Sequence, residues 1–525
     1  MTRIDAAFVI LGLVVATTLL ARRFRAPSPV IFAISGLAAG IAWHWIPGMP
    51  LVRMPPDLVL FAFLPPLLTV AAYAMPLQSF RRNRLPIGLL AIGLVLATIV
   101  VTAVFGHVVA GLPWAAALVL GAIVAPPDPV AATTVAAKTG LSHRLVVILE
   151  GEGLVNDAIA IVAYGIALKA ATTGYFSWSD AAMALAKAGP LGIAVGLTAG
   201  WAAKLLRQYA DSVPLEVAIS LVTPYLAYHV AERTGGSGVL AVVTLGFMLR
   251  HFATSISGAS ARLAARTVWG AIRFASTSLV FLLLGLLMGQ SIVTRPPWEL
   301  LAASAAVAGG VIALRMVWMY VIPPIVESLR GDDSPRTTWG ERTVLGWAGM
   351  RGIVSLALAL ALPFSIGGDN GTRDSIIVIT FAVIFATLML QGLTLVPLVR
   401  WLRVGDASRD ERDEHRARCN ARRAGIVAIA HARKEGHLDE AQCQRLLQRL
   451  RDGDIGIAKA GLGKREPNED RALMAALSAQ RRQLDLLRQR GRLSENLSER
   501  LATELDIDMM GALGEADRLT GVGED

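Results

Sequence analysis

The chain has 525 residues, of which 54% are hydrophobic and only 17% charged, and its mean hydropathy is +0.54. That balance excludes a soluble multidomain protein of this size. The net charge of +10 belongs to the first 402 residues, which hold 27 of the 50 Lys and Arg but 17 of the 40 Asp and Glu. Most of those basic residues sit in short loops between apolar runs, where they report topology, so the charge does not indicate a nucleic-acid partner. The two cysteines, Cys419 and Cys443, imply no disulfide framework.

A membrane helix needs ~20 mostly apolar residues. Such runs predict thirteen spans, near 6–21, 28–47, 57–75, 86–110, 113–137, 145–170, 181–206, 213–231, 236–250, 268–290, 299–323, 343–364 and 374–401. The first reads as a retained span, because no small-residue cleavage site follows it. The loops test this count. Arg22, Arg23 and Arg25 follow the first span, Arg81, Arg82 and Arg84 the third, Lys138 and Arg144 the fifth. Lys204 and Arg207 follow the seventh, Arg250, Arg262 and Arg266 the ninth, and Arg330, Arg336 and Arg342 the eleventh. The alternate side offers Arg3, Arg53, Lys169, Arg233, Arg295 and Arg373, so the split is 16 to 6. The positive-inside rule then puts the N-terminus outside and the C-terminal tail in the cytoplasm, with the inner (plasma) membrane as the expected location. Gly192, Gly196 and Gly200 recur at a spacing that suits close helix approach, or simply reflect how common Gly is in membrane helices.

Charges inside the spans carry the functional reading, since one at the bilayer centre costs roughly 2.5–3.5 kcal/mol and is paired, wet or functional. The fifth span reads GAIVAPPDPVAATT, and its three prolines in four residues break the helix around Asp128. Unpaired backbone at that depth is tolerated where it lines a cavity; the alternative is a proline kink with Asp128 salt-bridged. The sixth span reads LEGEGLVNDAIAIV and carries Glu150, Glu152, Asn156 and Asp157. Gly153 lies one turn before Asp157 and opens space on its face. A carboxylate there holds either a proton or a small cation, and that competition is what antiport requires; the alternative is a structural Asp bonded to a neighbouring helix. Arg315 stands alone in the eleventh span and needs an anion, for which Glu152 is the best partner. In the twelfth span, LGWAGMRGIVSL, glycines surround Arg351 and read as a second break, or else as a continuous helix whose arginine is paired. Interrupted spans five and twelve are seven apart, which fits inverted repeats of spans 1–6 and 8–13 with the seventh as connector.

Taken together, Pro127-Asp128-Pro129-Val130, the EGLVND run from Glu152 to Asp157, Ala313-Leu314-Arg315 and the GWAGMRGIVS run from Gly346 to Ser355 resemble the cation:proton antiporter-1 family of sodium/proton exchangers. LPPLL at 64–68, TPYLAY at 223–228, SGVLA at 237–241 and SLVFLLLG at 278–285 fit the same pattern, so the resemblance covers about residues 5–402. It implies an all-α polytopic fold of about thirteen helices, with unwound helices five and twelve crossing at mid-membrane and a dimerisation domain beside a moving core. It further implies that Asp157 binds cation and proton with Asn156 as companion, that Glu152 and Arg315 form a structural ion pair, and that Asp128 and Arg351 stand at the two breaks. An Asn-Asp pair implies electroneutral exchange. The implied activity is antiport of sodium, with lithium or potassium as alternatives, for protons by alternating access, serving pH homeostasis. The implied protein is no enzyme, uses no cofactor and forms a homodimer in the bilayer. Three positions depart from the family pattern: Pro127 where many members have Thr, Gly153 where many have Ser, and Val70 where many bacterial members have an acidic residue.

Residues 403–525 differ from the rest, with 23 basic and 23 acidic residues. Leu473, Leu477, Leu484 and Leu487, continued by Leu497 and Leu501, predict amphipathic helices, interrupted at Gly461, Gly463 and Pro467. The segment reads as a regulatory or dimer-supporting cytosolic domain, or as a loosely ordered tail. His415, His431 and His437 receive no role. Readings outside antiport are a cation channel, an intramembrane enzyme and a sensor or scaffold without transport. No filter repeat supports the first, and no H-E-x-x-H or Ser/His site the second.

Overall fold

The computed structural model describes residues 3–23, 28–43, 45, 56–75, 77–128, 141–210, 212–256, 259–294, 298–330, 337–363, 366, 370–404, 407–452, 467–489, 493, 497–498 and 500–509. Arg25, Arg53, Pro129, Val130, Lys138, Arg295, Arg336, Gly405, Gly461, Gly463 and the expected second half of the fifth span lie outside them. Within the described residues every regular element is helical. Among the described residues, six helices are long and apolar enough to cross a membrane: Arg84–Val108, Ala182–Gln208, Val213–Arg233, Ser260–Gln290, Leu300–Ser328 and Gly371–Leu402.

In chain order the helices are α1 (Arg3–Arg23), α2 (Ser28–Trp43), α3 (Pro56–Ala74), α4 (Leu77–Arg82) and α5 (Arg84–Val108), the last with a π-helical turn at Leu89–Leu94. Then follow α6 (Trp114–Val124), α7 (His143–Thr173), α8 (Trp178–Gln208), α9 (Val213–Arg233), α10 (Gly238–Ile256), α11 (Ala259–Thr294) and α12 (Trp298–Arg330). After these come two short helices, α13 (Trp339–Trp347) and α14 (Ile353–Leu360), and the long α15 (Asn370–Leu402).

Two groups of helix contacts stand out, with apolar clusters that run across both. In one, α11 lies along α2, and α10 joins α8, α9 and α3. In the other, α6 packs between α5 and α7, while α12 joins α5, α13 and α15. Small residues set how closely the first group closes. A Cβ at Gly36 or Gly40 of α2 would overlap the Leu282 or Leu286 carbonyl of α11, and Gly285 and Gly289 of α11 face the Ala33 and Leu37 carbonyls in return. The Gly192, Gly196, Gly200 stripe of α8 faces Ser237, Ala241 and Met248, which brings α8 against α10. Its spacing therefore serves a close helix contact.

Beyond α15 the chain forms α16 (Ala407–Lys434), α17 (Glu440–Asp452), α18 (Pro467–Gln489) and a helical stretch at 500–509. Leu473, Leu477, Leu484, Leu487, Leu497 and Leu501 are all buried, packing with Ala417, Ala421, Ile429 and Leu446 in one apolar core. The helical spacing of those leucines is what aims them inward. Pro467 stands at the start of α18, where a proline lacks only an N–H that would have no partner in the first turn.

Candidate functional site

The site is built where two helices stop short. In α6 the last regular backbone bond runs from the Ala125 N–H to the Gly121 carbonyl at 2.9 Å. The next two residues, Pro126 and Pro127, have no N–H to donate, so the ladder ends. The Asp128 N–H, freed from the helix, donates instead to the Met350 carbonyl at 2.7 Å. Met350 belongs to the second interruption, between the end of α13 at Trp347 and the start of α14 at Ile353. One hydrogen bond thus joins the two breaks directly, as buried backbone without water requires. A Cβ at Gly352 would overlap the Asp128 carboxyl, so the approach of the two segments needs glycine there.

α13 opens with a capping box: Thr338 Oγ1 accepts the Glu341 N–H at 3.3 Å and Glu341 Oε2 accepts the Thr338 N–H at 2.8 Å. Past its far end, the Arg351 N–H donates to Thr387 Oγ1 of α15 at 3.2 Å, and the Arg351 guanidinium donates to the Gly349 carbonyl at 2.8 Å. Arg351 is 1% exposed, so its charge is enclosed by the break it helps to close.

The third component is α7, which brings Glu152, Gly153, Asn156 and Asp157 into the same buried layer. Asn156 Nδ2 donates to the Pro127 carbonyl at 3.1 Å, so one of the carbonyls released by the proline break is held by α7. Asn156 Oδ1 is buried and has no hydrogen-bond partner among the described residues. Asp157 is 5% exposed, and among the described residues no donor or cation reaches its carboxylate. It lies close enough to Asp128 for the two carboxylates to interact electrostatically. Gly153, one turn earlier, is buried.

Glu152 has the opposite surroundings. Arg315 of α12 donates through Nη1 and Nη2 to Glu152 Oε1 and Oε2 at 2.5 and 2.8 Å, a bidentate pair. Arg315 Nε also donates to the Leu345 carbonyl of α13 at 3.1 Å, and a Cβ at Gly349 would overlap the arginine Cδ. Arg315 therefore ties α7, α12 and the first half of the broken segment into one unit.

The structure brings Asp128, Asn156, Asp157 and Arg351 together at the two breaks, with Glu152 and Arg315 bracing the same layer. Pro127 supplies a carbonyl where the family pattern has a hydroxyl. Val70 is part-buried on α3. Two contributors had no signal in the sequence. The Met350 carbonyl is backbone, and Thr387 reads as a hydroxyl satisfying its own helix, as its 2.9 Å bond to the Val383 carbonyl does.

The arrangement offers a buried carboxylate, without a partner among the described residues, beside unwound backbone. That combination suits a small desolvated cation or a proton. Comparison with known proteins agrees. Residues 9–401 match the transmembrane sodium/hydrogen exchanger family. The chain is 34% identical over 379 residues to the Na(+)/H(+) antiporter ApNhaP of Aphanothece halophytica, covering 72% of this chain and 70% of that protein. It is 29% identical over 526 residues to an uncharacterized Na(+)/H(+) exchanger, Mb2309, of Mycobacterium bovis, covering 96% of this chain and 95% of the relative. Its fold is similar to that of the sodium proton antiporter MjNhaP1 of Methanocaldococcus jannaschii at pH 8, with a TM-score of 0.62, 20% identity and coverage of 77% of this chain and 100% of that one. The chain belongs to the sodium/hydrogen exchanger family and is a membrane-spanning cation/proton antiporter, not an enzyme.

Proposed function

We propose that residues 1–402 exchange one sodium ion for one proton at Asp157 by alternating access. The observation that carries this is the contrast on α7: Glu152 is neutralised by Arg315, whereas no group among the described residues neutralises Asp157. A cation or a proton neutralises it instead. Only the neutralised carboxylate crosses the low-dielectric interior cheaply, which ties the two fluxes together. Asn156 Oδ1, the carbonyls near Pro127 and water complete the cation's shell, in place of the hydroxyls absent at Pro127 and Gly153. Asp128 and Arg351 balance the half-helix ends at the breaks. One carboxylate exchanging one charge for one charge makes the cycle electroneutral. Potassium is not favoured, since the related proteins are named for sodium.

The same reading takes the chain as thirteen spans with inverted repeats, helices five and twelve crossing at mid-membrane, and the α6, α7, α13 body moving against the α2, α11 body. Exposed apolar faces on α1 (Phe8, Leu11, Val15) and α8 (Leu197, Trp201) suit lipid and a second copy in a homodimer. Its place is the inner membrane, with the N-terminus outside and residues 403–525 in the cytoplasm. The test is proton flux in proteoliposomes with Na⁺, Li⁺ and K⁺ added in turn. Sodium-dependent dissipation of ΔpH that vanishes in Asp157→Asn supports the reading. Flux that survives this substitution, or that potassium drives as well as sodium, removes it.

A further inference from the structure

We propose that Gln391 of α15 holds buried water against the second break and is thereby a positioning residue for the cation site. The inference rests on the exchange reading above and adds to it a residue outside the site. Gln391 is 0% exposed, and among the described residues neither its Oε1 nor its Nε2 has a hydrogen-bond partner. A buried amide without partners is costly, so its environment must supply them. The amide itself states their chemistry. A cation would satisfy only the carbonyl oxygen, and an anion only the amino group. Water both donates and accepts, so it satisfies both ends.

The position of Gln391 supplies the water's other contacts. α15 packs on α13 and α14, the helices on either side of the second break. Thr387 Oγ1 of α15 accepts the Arg351 N–H at 3.2 Å, and Thr394 Oγ1 accepts the Trp347 indole N–H at 2.8 Å. Gln391 lies on the same stripe of α15, about 40° round the helix from Thr387 and about 60° from Thr394. It therefore stands between the two points at which α15 grips the broken segment. The backbone there has a carbonyl to offer. In a continued helix the Arg351 N–H would bond the Trp347 carbonyl, but it goes to Thr387 instead, which releases that carbonyl. Met350 lies against the same turn of α15, since a Cβ at Gly392 would come 3.4 Å from its sulfur. The Met350 carbonyl is the one that takes the Asp128 N–H. Water between Gln391 and the released backbone thus braces the segment to which Asp128 is bonded. An apolar side chain in place of the amide removes the brace and loosens the site, but it leaves no polar group unsatisfied and so spares the fold.

The experiment combines X-ray radiolytic footprinting of the full-length protein with sodium-driven proton flux in proteoliposomes. X-rays split bound water into hydroxyl radicals in place, and a methionine beside that water is oxidised even where bulk radicals do not reach. Met350 is 1% exposed and so reports internal water, whereas Tyr209, 80% exposed, reports bulk solvent. The expected result is oxidation of Met350 in the wild type and its loss in Gln391→Leu. The same variant should raise the apparent KM for sodium about tenfold, the size of an outer-shell contribution to metal affinity, with a melting temperature no lower than wild type. Gln391→Asn keeps a donor and an acceptor and should bring KM back to within about threefold of wild type. An unmodified Met350 beside an oxidised Tyr209 overturns the water, and this arm needs no variant to fold. A KM in Gln391→Leu within about twofold of wild type, whether or not the melting temperature falls, overturns the positioning role. A wild type without any sodium-driven flux removes the exchange reading and the positioning role with it, and the footprint then decides the water alone.

Discussion

Glu152 and Asp157 sit five residues apart on α7, both buried, and their surroundings are opposite. Five residues carry a side chain about 140° round a helix, so Glu152 turns towards α12 and meets a bidentate arginine, whereas Asp157 meets no donor among the described residues. In the proposed exchange the first region takes no part, because a paired and desolvated carboxylate gains nothing from a further cation, and the second is the one that binds. The lesson is that burial alone marks neither function nor structure; what separates the two carboxylates is whether the fold supplies a counter-charge.

The most severe way to break this contrast is to neutralise the Asp157 side. Asp157→Asn should abolish sodium-dependent ΔpH dissipation in proteoliposomes while leaving the protein's elution profile unchanged. In the wild type, proton and sodium should compete at one carboxylate, so the apparent KM for sodium rises as pH falls, approaching about tenfold per pH unit where the proton form dominates; a KM independent of pH between about 6 and 9 would sink single-site competition. Next in size is the junction that holds Asp128. Gly352→Ala places a methyl in the Asp128 carboxyl, and a displacement of about 1 Å there should lower exchange by roughly a hundredfold. Flux close to wild type would show that the contact between the breaks is dispensable.

The Glu152 side should respond in stability before activity. Arg315→Met leaves Glu152 buried without its arginine, at a cost of about 3–5 kcal/mol, read as a large fall in melting temperature in detergent. Replacing both residues, Glu152→Leu with Arg315→Met, should recover most of that loss. Equal destabilisation by the single and double variants would mean that the pair contributes more than mutual neutralisation. The smallest effect lies in the tail. Burial pushes the Glu414 carboxyl up, but hydrogen bonds and charge from Arg418 and Arg500 outweigh it and hold it below the ordinary range. Its contribution to tail stability is therefore present at neutral pH and is lost as pH falls below the usual glutamate range, when the carboxyl protonates. Because the group is partly exposed, Glu414→Gln should cost under about 1 kcal/mol, seen as modestly faster hydrogen exchange in α16 at about pH 7 and little difference near about pH 3.5.

Much of this was legible in one dimension. Three prolines in four residues stop a helix wherever they fall, and α6 ends at Val124 for that reason. A lone arginine in an apolar run demands an anion, which singled out Arg315 and Glu152 before any distance was known. Other parts had no local signature. The Met350 carbonyl that takes the Asp128 N–H is indistinguishable from any other backbone oxygen, and Thr387 looks like a hydroxyl serving its own helix. Asp506 is one acidic residue among the 23 of the tail, and nothing in its neighbours announces a partner 244 positions away.

Sequence by itself determined that the chain lives in a membrane, which spans carry charge, and where the fifth span must break, because hydrophobic run length, charge cost and the missing proline N–H are local properties. Tertiary structure alone decided that the two breaks meet at Asp128 and Met350, that Asp157 meets no donor among the described residues, and that the tail returns to α11. Those outcomes depend on which helices pack side by side, and packing is settled by close approach between residues far apart in the chain, which no local pattern encodes.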